Sequence, residues 1–238
     1  DAMTGQVMRV SDGQMRLTRA DGVLSLNIGG ALAGTRDATI DLAVTRAAGL
    51  GETDIGLGFS NLAARDVATI GPALAWVDLM RAPISGVLGG VLNDDGTLGD
   101  LRASLDIGPG QVRLDDAAAP LPFDRMVSAL SYRAATGRIS FDSVSLLAPD
   151  LSFAASGHAD FGADGTSYVA QMRIEDIDIA RPDVFAAPLH LDRAFVDLRL
   201  ELAPRLVIQI GQAVVQDDGL DLRLRGRIAA EDQGLSMG

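Results

Sequence analysis

Residues 101–107, Leu101-Arg102-Ala103-Ser104-Leu105-Asp106-Ile107, alternate apolar and polar side chains without a break. In an extended chain successive side chains point to opposite faces, so Leu101, Ala103, Leu105 and Ile107 share one face and Arg102, Ser104 and Asp106 the other. A strand with one greasy and one wet face belongs to an antiparallel sheet, because doubly covered parallel strands read as continuous apolar runs.

The same rhythm recurs on both sides of this stretch. Upstream, Leu24, Leu26 and Ile28 share a face, as do Ile40, Leu42 and Val44, and then Ile55, Leu57 and Phe59. Downstream come Leu151, Phe153, Ala155, Gly157, Ala159 and Phe161, then Tyr168, Ala170, Met172 and Ile174. The last third continues with Val196, Leu198, Leu200 and Leu202, with Leu206, Ile208 and Ile210, and with Leu220, Leu222, Leu224 and Ile228. Asp-Gly pairs punctuate the runs at residues 12–13, 21–22, 95–96, 164–165 and 218–219. Asp-Gly supplies the positive φ angles of tight hairpins, so strand, turn, strand is the expected unit.

Helical signals are few. A helix is expected from Asn61 to Met80, with Pro72 in a first turn, Ile70, Leu74, Val77 and Met80 on one stripe, and Pro83 as its stop. Leu74, Trp76, Val77 and Met80 are its candidate packing residues. A second short helix is expected from Pro182 to before Pro188. The reading divides the chain into strands over 1–60, a helical insertion over 61–83 and further antiparallel strands over 84–238, as one continuous domain.

Composition excludes more chemistry than it suggests. All 20 basic residues are arginine and there is no cysteine, so lysine Schiff bases, thiol catalysis and thiolate metal sites are absent. A formal charge of −12 opposes nucleic acid as a partner. No stretch reaches the length of a membrane span, and Asp1-Ala2-Met3-Thr4 is no secretion signal. A chain running from Asp1 to Met237-Gly238 reads as a section of something longer.

The two histidines, His158 and His190, lack a metal-binding spacing, and no Gly-x-Ser-x-Gly elbow occurs. Asp160, Asp164 and Gly165 fit places of a calcium loop, but Gly162 and Gln171 stand where ligands are required. Asp94-Asp95, Asp115-Asp116 and Asp217-Asp218 read as turn residues. No enzyme activity, cofactor or metal is therefore expected.

What remains is the apolar face, which is aliphatic, since aromatic residues make up 4% of the chain. Such a sheet either closes on a second sheet as a dry sandwich or curls into a trough open to acyl chains. Alternation alone serves both.

Within residues 59–161, Pro72-Ala73-Leu74-Ala75-Trp76 is followed by Arg81-Ala82-Pro83-Ile84-Ser85-Gly86 and Asp94-Asp95-Gly96-Thr97-Leu98. Then come Ile107-Gly108-Pro109-Gly110-Gln111-Val112, Pro120-Leu121-Pro122-Phe123 and the strands 138–148 and 151–161. This order resembles the repeating portion of the AsmA-like proteins of Gram-negative bacteria, in particular the YhdP-type branch of a group that includes TamB. The resemblance implies a long curled β-sheet forming an open hydrophobic groove, with one or two short helices on or near its apolar face. It implies a periplasmic section of a protein anchored in the inner membrane, with phospholipid acyl chains and other envelope proteins as partners and a role in phospholipid transport and outer-membrane assembly. The groove wall would then be drawn from Leu101, Leu105, Ile107, Ile139, Phe141, Leu151, Phe153, Phe161, Met172, Ile174, Leu198, Leu200, Ile208, Ile210, Leu222 and Leu224. The alternative is a structural or adhesive β-sandwich or solenoid acting through protein contacts.

Overall fold

At Asp21-Gly22 the backbone takes φ values of 51° and 78°, the pair of positive angles that a two-residue hairpin turn requires. That turn joins β1 (Val10–Ala20) to β2 (Val23–Leu32), and the chain then doubles back strand by strand. β3 (Thr39–Ala47) and β4 (Glu52–Ala63) precede α1 (Ala64–Ala68), a 3₁₀ helix (Pro72–Leu79) and the short β5 (Met80–Arg81). β6 (Pro83–Asn93), β7 (Leu98–Ile107), β8 (Gly110–Val112), β9 (Leu121–Phe123), β10 (Arg125–Arg133) and β11 (Arg138–Ala148) follow. The remainder is β12 (Leu151–Phe161), β13 (Ser167–Ile179), β14 (Leu189–Glu201), β15 (Val207–Asp217), β16 (Leu220–Glu231) and β17 (Gly234–Met237). This is a computed structural model, and it describes residues 10–32, 37–47, 52–69, 72–113, 120–162, 167–182, 186–201, 207–217, 220–231 and 234–237.

The long strands form one antiparallel 14-stranded sheet in the order β1-β2-β3-β4-β6-β7-β10-β11-β12-β13-β14-β15-β16-β17, with β1 and β17 at opposite edges. β5, β8 and β9 form a separate three-stranded sheet. The protein is thus mainly β, with an open antiparallel sheet and two short helices.

Register turns the sequence alternation into rows that cross the sheet. One row runs Leu26, Val44, Ile55, Gly90, Leu101, Tyr132, Ile139, Ala159, Ala170, Leu198 and Ile210. Its neighbour runs Met15, Ile28, Leu42, Leu57, Leu88, Ala103, Leu130, Phe141, Gly157, Met172, Val196, Ala213 and Leu224. These side chains make the inner face. Shifts of register at Phe59/Leu62, Phe141/Val144, Asp197/Leu198 and Ile210/Ala213 insert extra residues, and each such bulge bends its strand and sharpens the twist. Ile139, Ala159, Tyr168 and Ala170 lie in the largely buried cluster that also holds the helical residues Val67, Leu74 and Val77. A flat sheet under so small a cover would leave them open, so the inner face curls around its own side chains.

Several local expectations change. The helix expected over 61–80 begins later, because β4 continues to Ala63, and it divides into α1 and the 3₁₀ helix at Pro72. Leu74 and Val77 lie three residues apart, on one face of a 3₁₀ helix at three residues per turn, and Met80, next in that spacing, opens β5. Ile70 lies outside the described residues. So do residues 183–185 of the expected second helix, whose neighbours Pro182, Ala186 and Ala187 are turn and bend. Asp12-Gly13 is no hairpin: it sits inside β1, where Asp12 has φ 53° and the register shifts between Ser11 and Gln14. Asp164-Gly165 and Asp218-Gly219 lie outside the described residues.

β6 carries Ile84, Gly86, Leu88 and Gly90 inward. Gly86 is required by crowding: an added Cβ would stand 2.5 Å from the Ser104 carbonyl oxygen and 3.2 Å from Cζ of Phe59.

Candidate functional site

The inner wall is the feature that the alternating pattern builds at greatest cost to solubility, and its character changes across the sheet. In the centre it is dry. Ile84, Leu105, Ile107, Leu130 and Ile139 are fully buried, and Val67, Leu74 and Val77 of the helical segment are buried with them. Trp76 reaches β11, where its indole meets the Phe141 ring edge-on. Met80 of β5 and Phe123 of β9 are also buried in this cluster.

Toward both edges the wall opens. On β1, Met15 is 74% and Leu17 62% exposed, and on β16 Leu222 is 42% and Leu224 48% exposed. Between centre and edge, Met172, Ile174, Leu198, Leu200, Ile208 and Ile210 are half-buried. A second buried cluster of Ile177, Leu191 and Ala194 sits among them, with Leu151, Phe153, Ile174 and Val215 against it.

The sixteen wall candidates therefore divide by position. Leu101, Leu105, Ile107 and Ile139 are in the filled centre, buried in one cluster with Val67, Leu74 and Val77 of the helical segment. Phe141, Leu151, Phe153 and Phe161 are half-buried on β11 and β12, and Phe161 tilts against Tyr168 with centroids 5.0 Å apart. The remaining eight, on β13 to β16, form a half-open aliphatic surface. Of the helix candidates, Leu74, Val77 and Met80 are buried and Trp76 half-buried.

The sequence reading missed Ser128. It lies in the inward row between Leu105 and Val144, it is fully buried, and its Oγ has no hydrogen-bond partner. A polar residue in an apolar row gave no signal, because β10 also carries Val127 and Ala129 outward and its alternation is blurred.

The outer face is polar and laced by cross-strand pairs. Nε and Nη2 of Arg138 donate to Asp160, directly opposite, at 2.7 and 2.8 Å. Arg125 holds Asp106 likewise at 3.0 and 2.6 Å. These guanidinium bonds keep both carboxyls below the usual carboxylate range. His190 Nδ1 lies 2.8 Å from Asp178, which its hydrogen bond also lowers. Asp95 accepts from the Thr97 N–H and hydroxyl at 2.9 and 2.6 Å, as a turn aspartate does.

Among the described residues no group of three His, Asp or Glu is placed to hold a metal ion. Asp160, considered for a calcium loop, is taken by Arg138, and Asp164 lies outside the described residues. His158 stands on the outer face opposite Ser140 and Gln171. No described helix is long and apolar enough to cross a membrane.

No protein-family model, curated protein or solved structure matches the chain.

Proposed function

We propose that the chain is a section of a periplasmic β-groove that shields phospholipid acyl chains, as part of an inner-membrane-anchored protein of the AsmA-like kind that supports lipid transport to the outer membrane and its assembly. The observation that carries this reading is the continuity of a mostly aliphatic inward row from Met15 on the edge strand β1 to Leu224 on β16, beside the other edge, where Leu222 and Leu224 stand exposed. The half-open surface on β13 to β16 is the part assigned to the acyl chain. Each buried methylene contributes about 0.8 kcal/mol, so twelve give roughly 10 kcal/mol gross before ordering costs. Aliphatic walls without fixed polar groups would hold such chains loosely and let them slide.

A photoreactive residue in place of Leu200 tests the reading in cells. It faces inward, and cross-linking to phospholipid is expected there but not from the adjacent outward position Arg199. Equal labelling at both positions, together with no phospholipid in native mass spectra of the chain purified from membranes, would remove the reading.

The filled centre favours a second reading, in which the sheet is a structural section acting through protein contacts. That reading gives lipid-free protein from membranes and a protein cross-link from position 200.

A further inference from the structure

On the outer face, away from the apolar wall, β6, β7, β10, β11 and β12 border an open concavity of about 1010 Å³. At Gly89 an added Cβ would meet nothing within 4 Å, so the floor there is free. Three guanidinium groups line the cleft, those of Arg102, Arg133 and Arg138. Arg102 pairs in register with Ser131, so Arg133, two residues along, is its diagonal neighbour on the same face, roughly 7–8 Å away at Cα. Arg133 stands directly opposite Arg138.

Arg138 is neutralised by Asp160. Among the described residues, Arg102 and Arg133 make no ion pair, although the chain has 32 acidic residues for 20 arginines. Of the other carboxylates in the cleft, Asp100 accepts the Ala134 N–H at 3.0 Å and Asp54 comes from β4, beyond Gly89 and Gly90. Like charges on neighbouring strands destabilise a sheet, and an anion between them removes that cost.

We propose that this cleft binds a phosphorylated polyol, with Arg102 and Arg133 sharing the phosphate and Ser131, Ser140 and Thr136 meeting the hydroxyl groups. Guanidinium groups match phosphate oxygens two at a time, and two such forks suit the several oxygens of a tetrahedral phosphate, monoester or diester, better than a planar carboxylate. The cleft has room for much more than free phosphate, and its volume is at the upper end of small-molecule pockets. A soluble sugar phosphate and a phospholipid headgroup share this chemistry. The cleft is on the other face from the acyl-chain wall, so it stands or falls independently of the groove.

Side-chain Nε–Hε resonances of the full chain, followed during titration with glycerol 3-phosphate, inorganic phosphate and glycerol, test the site. Saturable shifts at Arg102 and Arg133 are expected with glycerol 3-phosphate, weaker ones with phosphate and none with glycerol. The R102Q/R133Q double variant should lose at least tenfold in affinity at a ligand-free thermal midpoint no lower than that of the wild type, since the substitutions also remove the like-charge repulsion, and R102K/R133K should fall between. Flotation with phosphatidylglycerol vesicles but not phosphatidylcholine vesicles, lost in the double variant, assigns the headgroup as source; glycerol 3-phosphate binding without flotation assigns a soluble ligand. Absence of saturation with both phosphate probes, or unchanged affinity in R102Q/R133Q, overturns the proposal.

Discussion

The indole of Trp76 stands edge-on to the ring of Phe141, with centroids 5.9 Å apart and planes at 75°. Trp76 belongs to the 3₁₀ helix and Phe141 to the inward row of β11, so this contact ties the helical segment across the curled sheet. Edge-to-face pairs contribute about 0.5–1.5 kcal/mol beyond burial. Trp76→Ala should lower stability by about 2–3 kcal/mol, and a double-mutant cycle with Phe141→Leu should show a coupling near 1 kcal/mol in urea unfolding. Additive effects would mean that the edge-on contact contributes nothing beyond the burial of the two rings.

Ser128 places an unpartnered hydroxyl in a buried apolar row. Burying a polar group without a hydrogen bond costs about 1–3 kcal/mol, while a methyl group there costs nothing comparable. Ser128→Ala should therefore raise the urea midpoint by about 1 kcal/mol equivalent, against the usual direction of core substitutions. Ser128→Leu should destabilise by about 1–3 kcal/mol, because the row has no room for added methylenes.

The Arg138–Asp160 pair sets an acid limit. Its carboxyl is lowered by the guanidinium hydrogen bonds, so its contribution is present above the unfolded carboxylate value of about 3.9 and is lost as pH falls through the lower folded value. Both side chains are nearly half exposed, so solvent screens the pair and its share of the acid loss of stability below about pH 4 should be small. In Arg138→Gln the fall should be shallower, with reduced stability at neutral pH.

How much of this was legible in the sequence depends on each residue's neighbours. Leu101 to Ile107 and Leu151 to Phe161 announce their strands because their inward positions are apolar and their outward ones mostly polar. β6 and β10 do not, since Gly86, Gly90 and Ser128 occupy inward positions for reasons that arise only across the sheet. The bulge at Phe141/Val144 switches which parity faces inward, and no run of strict alternation can cross it. Most importantly, inward pointing is visible in the sequence but cover is not. Leu105 and Leu200 read alike, yet Leu105 lies within the buried cluster that holds Val67, Leu74 and Val77 while Leu200 packs half-exposed against its border.

Tyr168 sets an alkaline limit. Burial, reinforced by the nearby Tyr132, pushes its hydroxyl up to about 12. The folded state therefore keeps this proton while the unfolded chain releases it near 10, so stability falls as pH rises between those values, by at most roughly 3 kcal/mol. Absorbance at alkaline pH should show Tyr168 titrating late in the wild type. Tyr168→Phe should flatten the stability loss over that interval.

Leu105 and Leu200 separate core from wall. Leu105 is buried in the filled centre, and Leu105→Ala should cost about 2–5 kcal/mol in urea unfolding whether or not lipid is present. Leu200 is half-buried on β14 between Tyr168 and Ile208, so Leu200→Asn should cost no more than about 1.5 kcal/mol in lipid-free protein. If the wall on β13 to β16 carries acyl chains, that small change in stability should accompany a severalfold loss of phospholipid co-purifying with the chain, because an amide in the wall must be desolvated by every chain that slides past it. Added phospholipid should then raise the thermal midpoint of the wild type more than that of Leu200→Asn. Equal lipid content in wild type and Leu200→Asn, with loss only in Leu105→Ala, would place the acyl chain in the centre and require the Trp76 segment to lift. Absence of lipid from all three would leave the sheet with a purely structural role.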